Sequence, residues 1–229
     1  MTDPLGQAIA DYYYQHAPAK LWILNTYGPK EEMPVAAYFR NAQQMPALEH
    51  SALQICRGKI LDIGAGAGSH ALWLQQQNAV ITALEISALS CSVMQARGIR
   101  QIVRQDIFSF TGDTFDTLLL LMNGIGLCGT LDGLRKFLRH AAGLLRPGGQ
   151  LVFDSSDVAY VYKNHFPDLK EYYGEIAYRY QYKGKKTGWF KWLYIDRHTL
   201  AAIATEEGWH YEYITEDENG QYLARLQKA

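Results

Sequence analysis

The sequence predicts an α/β fold: an open, mostly parallel sheet with helices on both faces. Short apolar runs alternate with helical patterns between residues 59 and 153, which is typical of parallel strands buried on both faces. The last third of the chain alternates apolar and polar residues instead, and the Asn219-Gly220 pair is typical of a hairpin turn. We therefore expect an antiparallel C-terminal hairpin and, before the first core strand, N-terminal helices.

Residues 1–57 are predicted to form a helical cap segment. Asp3 can cap a helix over residues 3–16, with Pro4 at its first position. A second helix is expected from Pro46 to about Cys56. The residues between these helices, 17–45, are expected to be irregular because they contain the breakers Pro18, Gly28, Pro29 and Pro34.

Residues 58–154 are predicted to form the sheet core. The expected strands cover residues 59–63, 80–85, 102–105, 115–122 and 150–153. The expected helices cover residues 69–77, 87–98 and 131–145. Strands and helices that alternate in this order form an open sheet of the Rossmann-like kind.

Residues 155–229 are predicted to carry the variable substrate segment and to finish the sheet with antiparallel strands, so that the chain forms one compact domain. The expected elements are strands at 175–183 and 189–195, a helix at 197–207, and hairpin strands at 209–215 and 221–226. Tyr178, Tyr180 and Tyr182 share one face of the first strand. Such tyrosines either pack a half-exposed sheet or a dimer face, or contact the substrate.

Charge and cysteine content exclude several classes of partner. The 229 residues carry 22 Lys and Arg against 23 Asp and Glu, a net charge of −1, and no basic stripe suited to nucleic acid. Cys56, Cys91 and Cys128 are widely spaced, which indicates reduced thiols in a cytoplasmic protein and neither a disulfide framework nor a zinc site. The N-terminus does not resemble a signal peptide, and the longest apolar run, residues 118–122, is too short to span a membrane.

The sharpest motif is a glycine-rich loop between a buried strand and a helix. It reads Asp62-Ile-Gly64-Ala65-Gly66-Ala-Gly68-Ser69. Glycine permits a sharp turn and lets a ligand approach the backbone, while the helix start offers N–H groups to an anionic group. A dinucleotide fingerprint would need Gly or Ala where Ser69 stands, which argues against NAD.

The loop instead resembles motif I of the class I S-adenosylmethionine-dependent methyltransferases. This resemblance implies S-adenosylmethionine as cofactor, bound by Asp62, Gly64, Ala65, Gly66 and Ser69. Because this cofactor has no pyrophosphate but carries an ammonium, a carboxylate such as Asp62 is a sensible partner, directly or through water. The matching positions extend over about residues 58–154.

Later positions follow the same family pattern. The resemblance implies that Glu85, followed by Ile86, binds both ribose hydroxyls, since a carboxylate can accept two hydroxyl hydrogen bonds. It also implies that Asp106 takes the adenine amino group, with Ile107 against the ring. Outside the core, Arg40 could clamp the methionyl carboxylate.

The resemblance places Asn123 at the family's motif IV, which implies that it belongs to the methyl-transfer site and to the cofactor-binding residues. The run after it is Gly-Ile-Gly, whereas enzymes that methylate exocyclic amines of bases carry Pro-Pro and an aromatic residue there. No Cys/His cluster suggests a metal site, and we expect none, although Asp154 and Asp157 could imitate the acids of the Mg²⁺-dependent catechol branch. We expect a small-molecule acceptor, methylated at nitrogen or oxygen.

The catalytic group is less defined than the cofactor site. A general base is needed only if the acceptor loses a proton, and the candidates are His70, Asp154 and His165. A non-catalytic module that binds S-adenosylmethionine or S-adenosylhomocysteine, and less favourably an NAD-binding oxidoreductase, are the alternatives. The expected partners are the acceptor but neither nucleic acid nor membrane, in a monomer or homodimer.

Overall fold

Helices and strands alternate through the middle of the chain in the computed structural model, which describes residues 2–162 and 171–229. The α-helices there are α1 (Pro4–Tyr14), α2 (Ala47–Ile55), α3 (Ser69–Gln76), α4 (Ala88–Ala96), α5 (Leu131–Leu144) and α6 (Arg197–Glu206). The strands there are β1 (Leu21–Asn25), β2 (Glu31–Met33), β3 (Lys59–Ile63), β4 (Val80–Glu85), β5 (Ile102–Arg104), β6 (Phe115–Leu120), β7 (Leu145–Ser156), β8 (Glu175–Tyr182), β9 (Lys185–Lys186), β10 (Phe190–Leu193), β11 (Trp209–Glu216) and β12 (Gln221–Lys228).

The larger sheet has seven strands in the order β11-β12-β7-β6-β3-β4-β5. Parallel pairing joins β4 to β5 and β6 to β7, whereas β12 lies antiparallel to both β7 and β11. This arrangement confirms the predicted α/β class with an antiparallel C-terminal hairpin.

A second sheet corrects two sequence-based expectations. Its order is β10-β8-β1-β2, with β9 paired to β8. Residues 17–45 are therefore not irregular throughout, and the tyrosine strand β8 pairs with β1 instead of extending the larger sheet. The prediction failed because β1 is short, is flanked by breakers and finds its partner more than 150 residues away (Trp22 lies opposite Gln181). Tyr182 is 1% exposed and packs in this region's core, so it is a structural residue.

Helix starts follow the local capping chemistry. Asp3 accepts a hydrogen bond from Gly6 N–H at 2.8 Å at the start of α1, and Ser87 accepts one from Ser90 N–H at 3.0 Å at the start of α4. Each side chain satisfies an N–H group that the first helical turn leaves unpaired. Asp196 does the same for α6.

Strand β7 begins earlier than predicted. Its extended backbone starts at Leu145, directly after α5, and not at Gln150. The register against β6 shifts between Phe115 and Thr117, and Gly148 has a φ of +74° within this irregular stretch. Pro147 and the glycines therefore end α5 but do not prevent extended pairing.

Two compact units divide the chain. The first contains Met1–Met45, Leu61–Phe110 and Ala177–Phe190, and the second contains Pro46–Ile60, Thr111–Ile176 and Lys191–Ala229. The segments 1–57, 58–154 and 155–229 remain a sequence-based prediction. None of the helices within the described ranges is long and apolar enough to cross a membrane.

Candidate cofactor site

The glycine loop in the first unit adopts a backbone that demands glycine. Gly64, Gly66 and Gly68 have φ values of +72°, +58° and +81°. A Cβ on Gly68 would collide with the Ile99 side chain, whereas a Cβ on Gly64 would meet nothing within 4 Å. Gly68 therefore serves packing, and Gly64 borders open space that a ligand can fill.

Backbone hydrogen bonds tie this loop to β4. The N–H groups of Gly64 and Ala65 both donate to the Leu84 carbonyl, at 2.9 and 3.1 Å. Gly66 N–H donates to Glu85 Oε2 at 2.9 Å. The loop thus presents the open face at Gly64 to a ligand, while these three N–H groups hold its shape.

Asp62 is a buried acid with spare hydrogen-bonding capacity. It lies in β3, is 2% exposed, and its Oδ2 has no hydrogen-bond partner within the described residues. Burial raises the pKa of Asp62 to about 6, although the charge of His70 and the Ala71 N–H oppose this rise. A buried carboxylate oxygen without a partner is costly, so this atom suits a bound cation or hydrogen-bond donor.

Glu85 is the last residue of β4, and most of the lone pairs of its carboxylate already accept hydrogen bonds. Its carboxylate accepts hydrogen bonds from Gly66, Ile86 and Ser87 N–H at 2.8–2.9 Å, and burial raises its pKa. A carboxylate has about four lone-pair sites, so about one remains for a ligand hydroxyl without rearrangement. Accepting two ribose hydroxyls would displace one of these backbone bonds.

Asp106 and its neighbours differ in exposure. Asp106 is exposed after β5, and its Oδ1 accepts a hydrogen bond from Phe108 N–H at 3.0 Å. Ile107 is only 6% exposed, whereas the Phe108 ring is 44% exposed. Of the two apolar residues that follow Asp106, Phe108 is therefore the more exposed, and the sequence reasoning overlooked it.

Ser69 and His70 are both buried at the start of α3. Ser69 Oγ donates to the Tyr38 carbonyl at 2.7 Å, and the Arg97 guanidinium donates to the same Oγ. The serine hydroxyl therefore has protein partners on both sides. Arg40 is half-buried and follows Val35–Phe39, the short 3-10 helix that supplies the Tyr38 carbonyl.

Aromatic side chains surround that 3-10 helix. Phe39 stacks with Tyr12 of α1 at a centroid distance of 4.9 Å, and the Arg97 guanidinium lies 5.0 Å from the Phe39 ring centroid. A Cβ on Gly66 would lie 3.1 Å from the Tyr38 ring. Sequence reasoning did not single out Arg97, because its contacts with Phe39 and Ser69 come from distant parts of the chain.

Two further predicted residues, Asn123 and Asp154, lie in the second unit. The Asn123 N–H donates to both carboxylate oxygens of Asp154, at 3.0 and 3.1 Å. Asp154 is fully buried, and burial raises its pKa to about 6. His165, the third general-base candidate, lies outside the described residues.

Comparison with known proteins decides the family. A family model described as a methyltransferase domain matches residues 61–153. The S-adenosylmethionine-dependent methyltransferase from Bacteroides fragilis, crystallised with S-adenosyl-L-homocysteine, is 42% identical over 99% of this chain and 95% of that chain, with a TM-score of 0.92. The chain is an S-adenosylmethionine-dependent methyltransferase.

This membership confirms S-adenosylmethionine as the methyltransferase's cofactor and replaces the NAD-binding alternative. More distant structures share the fold. An amino pentose methyltransferase from Micromonospora echinaspora is 18% identical over 88% of this chain and 100% of that chain, with a TM-score of 0.59. A sugar N-methyltransferase from Streptoalloteichus is 17% identical over 90% of this chain and 97% of that chain, with a TM-score of 0.60. No match to a curated protein was found.

The first unit of the methyltransferase brings together most of the predicted site residues. These are Arg40, Asp62, Gly64, Ala65, Gly66, Ser69, His70, Glu85, Ile86, Asp106 and Ile107. Across residues 2–162 and 171–229, no three His, Cys, Asp or Glu side chains form a group that could hold a metal ion. The individual roles of these residues stay predictions.

Proposed function

We propose that this methyltransferase acts on a nitrogen or oxygen of a small molecule. The observation that carries the proposal is the side-chain Oδ1 of Asn123, which is buried without a hydrogen-bond partner in the described chain. An acceptor N–H or O–H would satisfy that oxygen. The net charge of −1 favours a small acceptor over a nucleic-acid backbone.

The described residues fit the cofactor. We assign the unpaired Oδ2 of Asp62 to the ammonium, the open face at Gly64 to the approach of the ligand, and Arg40 to the carboxylate. Glu85 is assigned to the ribose, where its remaining lone pair accepts a hydroxyl. Asp106 is assigned to the adenine amino group, with the exposed Phe108 ring as the apolar surface.

When bound, S-adenosylmethionine supplies an activated methyl group on a sulfonium sulfur, which takes the electron pair of the breaking bond. The protein's contribution is to position the acceptor and to exclude water. We assign neither His70 nor Asp154 as general base. His70 is 8% exposed and its charge helps to keep Asp62 ionised, while both oxygens of Asp154 accept hydrogen bonds. A neutral amine acceptor needs no base before transfer.

Amino sugars are the first acceptors to try. Two fold relatives are named as an amino pentose and a sugar N-methyltransferase, although their low identity transfers only the fold to this chain. We further propose that the enzyme is cytoplasmic, works as a monomer or homodimer, and needs neither nucleic acid nor membrane.

The test combines binding and turnover. Calorimetry should show binding of S-adenosylmethionine and S-adenosylhomocysteine. A panel of glucosamine, ethanolamine, benzylamine, a catechol and simple alcohols is then incubated with S-adenosylmethionine, and S-adenosylhomocysteine formation is followed by mass spectrometry. We expect turnover of at least one small molecule. Cofactor binding with methylation of only a duplex oligonucleotide or a peptide mixture would contradict the proposed acceptor class.

A further inference from the structure

Two consecutive residues after β6 adopt an unusual backbone conformation. Met122 and Asn123 have φ values of +62° and +56°, in the left-handed region. Asparagine tolerates this region, but methionine rarely enters it because its Cβ crowds the neighbouring carbonyl oxygen. Such a turn persists only where the surrounding structure imposes it.

Asp154 is hydrogen-bonded to the backbone of this turn at Asn123. The Asn123 N–H points between the two carboxylate oxygens, at 3.0 and 3.1 Å. Gln221, the first residue of β12, donates its side-chain N–H to Asp154 Oδ2. Hydrogen bonds to an ionised acceptor are stronger than neutral ones, and this carboxylate is fully buried.

In the Met122–Asn123 turn, the side-chain oxygen of Asn123 has no hydrogen-bond partner in the described chain. Its Nδ2 reaches Ser156 Oγ at 3.5 Å, but its Oδ1 is buried with no partner in the described chain. The carboxylate of Glu49 is also buried in this unit, and its charge is felt at Asp154. The buried Asp154 carboxylate, hydrogen-bonded to the Asn123 backbone, makes this surrounding favourable for a donor with positive character.

We infer that Asp154 and Gln221 are a positioning pair, which holds the Met122–Asn123 turn so that Asn123 Oδ1 accepts a hydrogen bond from the N–H of an amine acceptor. The inference rests on the proposed function and deepens it by selecting nitrogen over oxygen. Asp154 itself does not touch the acceptor; it acts through Asn123.

The geometry is tested by NMR on the full-length enzyme without any acceptor. In the wild type, we expect the Asn123 amide proton to resonate downfield and to exchange slowly with solvent, because it is bonded to a buried carboxylate. Asp154→Asn should move this resonance upfield and speed its exchange. Asp157→Asn is the matched control, since it makes the same charge change at an exposed residue three positions away. An unchanged Asn123 amide in Asp154→Asn would overturn the inference.

Kinetics test the role in positioning, using the panel amine that the wild type methylates fastest. Asp154→Asn should lower kcat/KM for this amine by about tenfold, the effect of one lost hydrogen bond, and leave the Kd of S-adenosylmethionine within about twofold. Asn123→Gly should have the same effect, because glycine keeps the turn but removes the amide. If Asp154→Asn does not fold, Gln221→Leu provides the milder change, with a smaller loss in the same direction.

The outcomes separate this inference from the proposed function. Equal amine kinetics in the wild type and Asp154→Asn would overturn the positioning role. So would a loss confined to cofactor affinity, which would assign Asn123 to the cofactor. Turnover of hydroxyl acceptors alone would overturn the choice of nitrogen but support the proposed function. If the wild type methylates no small molecule, the proposed function fails and the acceptor role of Asn123 fails with it.

Discussion

Asp62 and Asp154 are alike in burial and in pKa but differ in their hydrogen bonds. Each lies in a strand of the larger sheet, in a different unit, and burial raises each pKa to about 6. Asp62 keeps an oxygen without a partner, whereas Asp154 accepts from the Asn123 backbone and from Gln221. The raised pKa is common to both acids, so the different roles that we propose for them rest on their hydrogen bonds.

The largest expected effect is a loss of stability in Asp154→Ala. This change leaves the Asn123 N–H and the Gln221 amide without their acceptor in a buried site. We expect the free energy of unfolding to fall by about 3 kcal/mol, measured by urea denaturation. Asp62→Asn keeps one acceptor oxygen for the Ala71 N–H and removes a buried charge, so it should not lower the free energy of unfolding at pH 7. Equal losses in the two variants would erase the distinction between the two acids.

The next effect is on cofactor affinity. Asp62→Asn removes the proposed charged partner of the ammonium, so we expect the Kd of S-adenosylmethionine to rise about tenfold or more in calorimetry. Asp154→Asn, which removes the same charge from the second unit, serves as the control and should bind nearly as tightly as the wild type. A wild-type Kd in Asp62→Asn would show that the ammonium binds elsewhere.

Cofactor affinity should also depend on pH. The ionised fraction of Asp62 falls as the pH drops through its pKa of about 6. Between pH 7 and pH 5 that fraction falls about tenfold, so the Kd of S-adenosylmethionine should rise by a similar factor. Glu85, whose pKa is also raised by burial, is present in the wild type and in Asp62→Asn alike. The difference between the pH dependence of the Kd in the wild type and in Asp62→Asn therefore reports on Asp62. Parallel pH profiles would contradict the assignment of Asp62 to the ammonium.

In the absence of cofactor, the ionisation of Asp62 should lower the stability of the folded protein. The pKa of Asp62 is higher in the folded state, so its contribution to stability is fully present below the ordinary aspartate pKa of 3.8 and is lost as the pH rises through about 6. We expect the stability of the wild type relative to Asp62→Asn to fall between pH 4 and pH 7 by about 1.4 kcal/mol per unit of pKa shift. Urea titrations of the two apoproteins measure this difference, and a constant difference would indicate an ordinary pKa.

The smallest effect belongs to Gln221. Gln221→Ala removes one of the hydrogen bonds to Asp154 and leaves the Asn123 N–H in place. The expected loss is about 1 kcal/mol in the free energy of unfolding, with no change in the Kd of S-adenosylmethionine. A loss as large as that of Asp154→Ala would mean that Gln221, and not the backbone of Asn123, is the main partner of this acid.

The sequence by itself predicted the α/β class and the resemblance to the family. Both depend on local patterns: apolar strands that alternate with helices, and a glycine loop that follows the strand carrying Asp62. Each strand, helix or loop in these patterns can be recognised from residues that are close together in the sequence. The left-handed backbone of Gly64, Gly66 and Gly68 agrees with them, because these three positions need glycine.

Only the tertiary structure decided the second sheet and the different hydrogen bonding of the two acids. An acid in a strand has the same local sequence pattern whether its oxygens are free or bonded. The partner that distinguishes Asp154, Gln221, lies 67 residues further along the chain. In the same way, β1 finds β8 through pairing over more than 150 residues. Hydrogen bonds between distant segments follow from how the chain packs, and periodicity along the sequence does not encode them.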